Sequence, residues 1–215
     1  MPDTGSQNIY TILTDRKKYA HYAYRRDKYM EQIYLALVDT PGIFATLIRF
    51  TIGIRYVHVV LSVDEKLQEA YSIGRRNPAI PLIAGFEKEN TLEIESVFPC
   101  ANYKVMSLDC TSVQKEEIAR QLLECYKQRY RYHYCILGLP FLLLGIPFYQ
   151  RNHYTCSSFI ARILKENGLE LFEKNFSLVT PRDFYELENV KMIYEGTLHD
   201  FNMEFYWKIG AAYES

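Results

Sequence analysis

Hydrophobic and polar positions alternate with a two-residue period in several parts of the chain, and this period is typical of β-strands. In residues 55–63, valine or leucine occupies every odd position from 57 to 63, so His58 falls on the opposite face of this predicted strand. A turn at Asp64-Glu65 and a second strand at 67–73 complete a predicted β-hairpin. The other predicted strands lie at 31–39, 91–98, 103–108 and 191–195.

Apolar positions spaced by three and four residues predict helices between these strands. Gly53 and Gly168 each follow such a segment, and glycine is a common residue at the end of a helix. The predicted helices lie at 42–52, from 112 to about 131, at 155–167 and after Thr180-Pro181.

A chain of 215 residues fits one domain, because a single hydrophobic core can still grow at this length. Its 48% hydrophobic and 24% charged residues are ordinary for a folded globular protein and argue against disorder. The formal net charge of -1 argues against the broad basic surface of a nucleic-acid-binding protein. We therefore predict one domain over residues 1–215, in which residues 1–30 form a basic extension that is expected to be helical.

Two segments are candidates for contact with a membrane. Residues 16–28 mix basic residues with tyrosines, which predicts a solvated helix or, alternatively, a contact with anionic lipid or another partner. The longest apolar run, 135–148, is shorter than the ~20 residues that span a bilayer, and Pro140 and Pro147 interrupt it. We interpret this run as a buried connection. The alternative is a hydrophobic wall beside an active site that accepts an acyl chain or touches lipid.

The N-terminus and the cysteines bear on the cellular compartment. The first ten residues lack the charged start and apolar stretch of a secretory signal, which predicts a cytoplasmic location. The five cysteines are odd in number and irregularly spaced, which is typical of free thiols in a reducing compartment.

Cys156 lies in the sequence HYTCSSF, at the first turn of the predicted helix 155–167. Unpaired backbone N–H groups and the helix dipole favour a negative charge there, and this lowers the pKa of a thiol. The spacing from Cys156 to Phe159 and Ile160 places the sulfur on the inward face of the helix. Cys156 is therefore a candidate nucleophile, although a buried free cysteine is also a common core residue.

His58 is the only histidine inside a predicted strand between apolar neighbours, where an imidazole needs a hydrogen-bond partner or a function. Glu69 follows on the second arm of the hairpin, and a two-residue turn would place both side chains on one face. A carboxylate in that position can hold the tautomer of the imidazole. A register slip of one residue would put Gln68 or Ser72 there instead.

A zinc site is the competing interpretation of the same part of the chain. His133, Cys135, His153 and Cys156 form an H-x-C and an H-x-x-C pair, which together offer four zinc ligands. The spacing is not one of the common zinc patterns, and the residues between the two pairs are apolar. We therefore expect no metal and no cofactor.

The chain resembles the circularly permuted papain-like cysteine hydrolases of the NlpC superfamily, near the bacterial YiiX-like group. Three segments carry the resemblance, namely LIRFTIGIRYVHVVLSVD, LQEAYSIGR and YTCSSFIARIL. Other papain-like enzymes have the cysteine before the histidine, whereas the order here is His58, Glu69, Cys156. The resemblance implies an α+β fold in which an antiparallel sheet is packed with helices. It also implies that Cys156 is the nucleophile, His58 the base and Glu69 the orienting residue.

By the same resemblance, the expected activity is that of a cysteine peptidase or amidase, a thiol-dependent hydrolase that attacks an amide or ester carbonyl. Tyr154 and Arg75 are candidate substrate-binding residues. The alternatives are a lipid or N-acyl hydrolase or acyltransferase that uses the same residues, and a non-catalytic module that binds lipid or peptide. The expected partners are accordingly a small peptide, acyl amide or lipid-like substrate, with peripheral membrane contact as an option and no nucleic acid.

Overall fold

A computed structural model describes residues 30–41, 45–46, 49, 53–77 and 80–204 of the chain. The strands are β1 (Met30–Asp39), β2 (His58–Ser62), β3 (Ala70–Asn77), β4 (Ile80–Lys88), β5 (Asn102–Thr111), β6 (His133–Tyr134), β7 (His153–Tyr154) and β8 (Lys191–Thr197). The helices with described bounds are α1 (Thr91–Val97), α2 (Ser112–Lys127), α3 (Gly138–Leu143), α4 (Cys156–Glu166) and α5 (Pro181–Tyr185). The predicted basic helix at 16–28 lies outside the described residues.

The eight strands form one sheet in the order β7-β6-β4-β3-β2-β1-β5-β8. Neighbouring strands are antiparallel except β6 and β7, which run parallel. Strands and helices are mixed along the chain, so the α+β class predicted for the fold is confirmed. No helix in the described part of the chain is long and apolar enough to cross a membrane.

Each face of the sheet buries its own hydrophobic core, because successive side chains of a strand point to opposite faces. The odd-numbered residues Ile33 and Leu35 of β1 pack in a core that includes Ile118 of α2 and Phe159 of α4. The even-numbered Ala36 and Val38 pack in the second core, with α1 and the helical residues 198–204. The amphipathic helix α4 is thereby fixed against β2 and β3.

The predicted hairpin forms, but its turn is longer than expected. The side-chain oxygens of Asp64 accept hydrogen bonds from the backbone N–H groups of Lys66, Gln68 and Glu69, and this holds the chain in a loop. β3 therefore begins at Ala70 rather than at residue 67. The two strands pair at Leu61–Tyr71 and Ser62–Ala70, a ladder that ends before it reaches His58.

The predicted strand at 91–98 is wrong, because these residues form α1. The Asn90 side chain accepts hydrogen bonds from the N–H groups of Leu92 and Glu93, which is a typical helix N-cap. β4, which lies between Arg76 and Asn90, has no counterpart among the predicted strands. The strands predicted at 31–39, 103–108 and 191–195 are confirmed as β1, β5 and β8.

The apolar run 135–148 is mostly exposed, so its interpretation as a buried connection is wrong. Cys135 is buried, whereas Leu137 and Leu144 are 68% and 72% exposed. Pro140 fits in the first turn of α3, where a backbone N–H would have no acceptor within the helix. The run therefore forms a short helix and loop on the surface, between β6 and β7.

Candidate active site

Cys156 is the first residue of α4, as the sequence pattern predicts. The helix starts there because Thr155 and Ser158 form a reciprocal capping box. The Cys156 sulfur accepts hydrogen bonds from the backbone N–H groups of Val59 and Ser157. Val59 lies beyond the end of the β2–β3 ladder, so the thiol occupies the place where these strands separate.

His58 is the first residue of β2, and its imidazole lies between Cys156 and two polar groups of neighbouring strands. The Nε2 atom is 3.0 Å from Oε1 of Glu89 and 3.1 Å from Oγ of Ser72. Because a carboxylate only accepts hydrogen bonds, Nε2 carries a hydrogen and donates it. The imidazole is also hydrogen-bonded to the thiol, so Nδ1 is the nitrogen left to exchange a proton with Cys156.

Glu89 completes this row of side chains. It follows directly after β4, and its backbone N–H donates to the carbonyl of Ala70, 2.8 Å away. The fully buried Ser72 hydroxyl donates a hydrogen bond to Oε1 of Glu89, the same oxygen that faces His58. The Glu89 side chain is only 17% exposed, so its interaction with the imidazole is weakly screened by water.

Glu69 does not take the place predicted for it beside His58. Its carboxylate accepts hydrogen bonds from Tyr71 Oη and Lys88 Nζ, each 2.6 Å away, and it is half-exposed. The hairpin register explains this, since it places Val63 opposite Glu69 and leaves His58 near Ser72 and Gly74. Of the two alternatives that a register slip offered, Ser72 contacts the imidazole and Gln68 lies exposed in the turn.

The electrostatics of the site favour a thiolate and an imidazolium. Burial alone raises the pKa of Cys156, but His58 and the two backbone N–H groups lower it to a greater extent. Burial likewise opposes the charge on His58, but Cys156 and Glu89 raise the pKa of the imidazole to about 10. Burial also raises the pKa of Glu89, and the hydrogen bonds from His58 and Ser72 outweigh it, so this carboxylate is ionised. Two negative groups thus stabilise one imidazolium between them.

Gly74 gives the imidazole the space it occupies, and this leads to a prediction. A Cβ atom at residue 74 would lie 3.0 Å from Cε1 and 3.2 Å from Nε2 of His58. Gly74→Ala should therefore push the ring away by a few tenths of an ångström and lower the rate of Cys156 alkylation at neutral pH about tenfold. The measurement is the pH dependence of alkylation by iodoacetamide. A profile identical to wild type would show that the ring does not need this space.

The two predicted substrate-binding residues have different environments. Tyr154 is buried among aromatic rings, and its hydroxyl is 3.2 Å from that of Tyr149, so it packs in the core and its contact with substrate stays a prediction. Arg75 is half-buried, with its guanidinium 5.1 Å from the centre of the Phe98 ring. Its charge helps to lower the pKa of Glu89. Arg75 therefore lies near the site, and its contact with substrate stays a prediction.

Tyr134 is a further polar group near the thiol. Burial and the charge of Cys156 raise its pKa, so the phenol keeps its hydrogen at neutral pH. Neither Tyr134 nor Glu89 is among the site residues predicted from the sequence. A carboxylate at the end of a strand would have been a signal for Glu89, but β4 itself was not predicted.

The zinc interpretation finds no support in the geometry. The rings of His133 and His153 lie 5.1 Å apart on the paired strands β6 and β7. Cys156 is hydrogen-bonded to His58 instead, and Cys135 accepts a hydrogen bond from the backbone of Gly138. Among the residues that the structure describes, no group of three or more histidine, cysteine or acidic side chains is placed to hold a metal ion. All five cysteines are free thiols.

Comparison of the chain with protein-family models, curated proteins and solved structures gives no match.

Proposed function

We propose that the protein is a cysteine hydrolase that cleaves an amide or ester bond, with the permuted papain-like fold that the sequence resembles. The single observation that carries the proposal is the row Cys156, His58, Glu89, in which a helix-start thiol, an imidazole and a carboxylate are hydrogen-bonded in sequence. A nucleophile, a base and a group that orients the base are the parts that covalent hydrolysis needs. The order of His58 before Cys156 in the chain agrees with a permuted topology.

The proposed reaction has two steps. The Cys156 thiolate attacks the carbonyl carbon, and the His58 imidazolium donates its Nδ1 proton to the leaving amine or alcohol as the carbon–heteroatom bond breaks. The acyl group is then a thioester on Cys156. Neutral His58 next takes a proton from water, the resulting hydroxide attacks the thioester, and the acid product leaves as the thiolate and imidazolium form again. Glu89 stabilises the imidazole in each step in which it is charged.

The start of α4 offers a backbone donor for the oxyanion that forms during each attack. In the first turn of α4, the Ser158 N–H is used by Thr155 and the Ser157 N–H by the thiol. The N–H of Cys156 itself belongs to the same turn and has no acceptor within the helix. The phenol of Tyr134 is a further candidate, because it lies near enough to Cys156 for the charge of the thiolate to raise its pKa. Donors fixed in position before the reaction are the most effective in stabilising such a charge.

A specific observation favours a lipid or N-acyl substrate as the second candidate. A small cavity beside the start of α4 has a mixed lining. Its apolar side includes Cys135, Leu142 and Phe148, and its polar side includes Thr155 and Ser158. The apolar side of this lining belongs to the exposed run 135–148, which offers an apolar surface for an acyl chain. In this case the same thiol and imidazole perform the hydrolysis or the acyl transfer.

The test is to detect the acyl-enzyme. The substrates are p-nitrophenyl esters with acyl chains of increasing length. Mass spectrometry should find one thioester adduct per protein molecule, on Cys156, and hydroxylamine should remove this adduct. Cys156→Ala should abolish the adduct, while Cys100→Ala, which removes an exposed thiol, should keep it. Equal acylation of the Cys156→Ala protein would refute the proposal. Rates that rise with chain length would favour the lipid or N-acyl substrate over a small peptide.

A further inference from the structure

The helix and loop between β6 and β7 expose several adjacent apolar side chains. We call residues 136–146 the apolar tip. Its large side chains with more than a third of their surface exposed are Ile136, Leu137, Phe141, Leu143, Leu144 and Ile146. Soluble proteins rarely expose so many adjacent apolar side chains unless the surface binds something.

The apolar tip is held in a defined shape rather than frayed. The rings of Phe141 and Phe148 stack with their centres 4.7 Å apart. The Ile146 N–H donates to the carbonyl of Phe141 at 2.9 Å, and the Phe148 N–H donates to the Ser177 hydroxyl at 3.2 Å. The exposure of the tip is therefore built into the fold.

The charges around the apolar tip indicate what it binds. Between Glu124 and Glu166 the sequence contains no acidic residue, whereas it contains several arginines and lysines. Arg131 and Arg151 are exposed, and each precedes by two residues a histidine of the pair on β6 and β7. The Arg131 guanidinium is bonded to the neutral amide of Gln128, so its charge is not cancelled. An apolar tip with positively charged flanks is complementary to an apolar layer that is covered by negatively charged groups.

Aromatic residues at the edge of the tip support the same partner. Tyr130 and Tyr149 flank the segment and are at least half exposed. Tyrosine is favoured at the boundary between lipid and water, because the ring enters the apolar layer while the hydroxyl stays hydrated.

We propose that the apolar tip inserts into the headgroup region of an anionic membrane and holds the protein at the membrane surface. The side chains of Leu137 and Leu144 enter the apolar layer, while Arg131 and Arg151 contact lipid phosphates. The chain does not cross the bilayer at this point, because α3 is only 6 residues long. The attachment is independent of the hydrolase activity proposed above.

The experiment measures binding of the full chain to vesicles by flotation. The vesicles contain phosphatidylcholine alone or with about 30% phosphatidylserine. Wild type should bind the anionic vesicles, and Leu137→Glu/Leu144→Glu should lower its partition coefficient at least about tenfold. Part of the wild-type binding should survive about 0.5 M salt, which screens contacts made by charge alone, including any made by residues 16–28.

The matched control places the same two charges on another exposed surface. Val113→Glu/Leu123→Glu alters exposed residues of α2 and should leave binding within about twofold of wild type. Circular dichroism shows whether each variant is folded. The proposal would be overturned if the tip variant binds anionic vesicles as well as wild type does. It would also be overturned if wild type does not bind anionic vesicles. If wild type forms dimers and does not bind vesicles, and the tip variant is monomeric, the tip contacts a second copy of the chain instead.

Discussion

His58→Ala is expected to slow alkylation of Cys156 at pH 7 by about 30- to 100-fold and to lower hydrolysis at least about a thousandfold. The imidazolium is the main group that opposes the effect of burial on the thiol. Without it, the pKa of Cys156 rises toward that of an ordinary cysteine or above, and at a pKa of about 9 only about 1% of the thiol is ionised at pH 7. Hydrolysis falls further because the proton donor for the leaving group is also lost.

The pH dependence of alkylation tests the cause of this loss. The thiolate is the reactive form, so the rate in the variant should rise with pH until it passes the raised pKa of the thiol. Near pH 10 it should therefore come within about threefold of the wild-type rate. A variant that stays slow at high pH has lost the local structure instead. An unchanged profile would mean that His58 does not ionise Cys156.

The positions of Cys156 and His58 could be predicted from the sequence because each depends on local structure. The Thr155 cap and the apolar spacing after Cys156 set the start of α4, and both are visible in a short stretch of sequence. The alternation at 55–63 likewise shows that His58 points away from the apolar face of its strand. The contact between these two residues depends on the packing of α4 against β2 and β3. The spacing of residues does not encode this packing, and only the family resemblance implies it.

The third group was missed because strand register depends on the turn. Asp64 accepts three backbone N–H groups and lengthens the hairpin loop, and a two-residue turn had been assumed. This change moves Glu69 to the exposed end of the hairpin and brings Ser72 to His58. Glu89 is even less accessible from a local pattern, because it reaches the site through the pairing of β4 with β3.

The exposed apolar run shows a different limit of sequence analysis. Hydrophobic residues usually lie in the core, so a run such as 135–148 is expected to be buried. Here both sheet faces are already filled by other helices, and the short strands β6 and β7 leave the connection on the outside. The composition of a segment does not reveal how much core volume other segments have occupied.

Glu89→Ala is the second variant that is expected to lower hydrolysis strongly. Comparison with Glu69→Ala shows whether the loss is specific to the carboxylate beside His58. Loss of Glu89 leaves the imidazolium without its carboxylate and removes the acceptor that orients Nε2. The pKa of His58 should therefore fall, the pKa of Cys156 should rise, and hydrolysis should decrease by about 100-fold or more. Steady-state hydrolysis and the alkylation profile measure the two effects separately.

The control and a conservative variant separate charge from orientation. Glu69→Ala removes an ion pair with Lys88 at the surface and should leave hydrolysis within about twofold of wild type. Glu89→Gln keeps a carbonyl oxygen that can accept from Nε2 but carries no charge, so its rate should fall between those of wild type and Glu89→Ala. If the hydrolysis rate of Glu89→Gln equals that of wild type, only the orientation of the imidazole is needed. If it equals that of Glu89→Ala, the negative charge of Glu89 is needed. A larger loss in Glu69→Ala than in Glu89→Ala would restore the triad expected from the sequence and contradict the one assigned from the geometry.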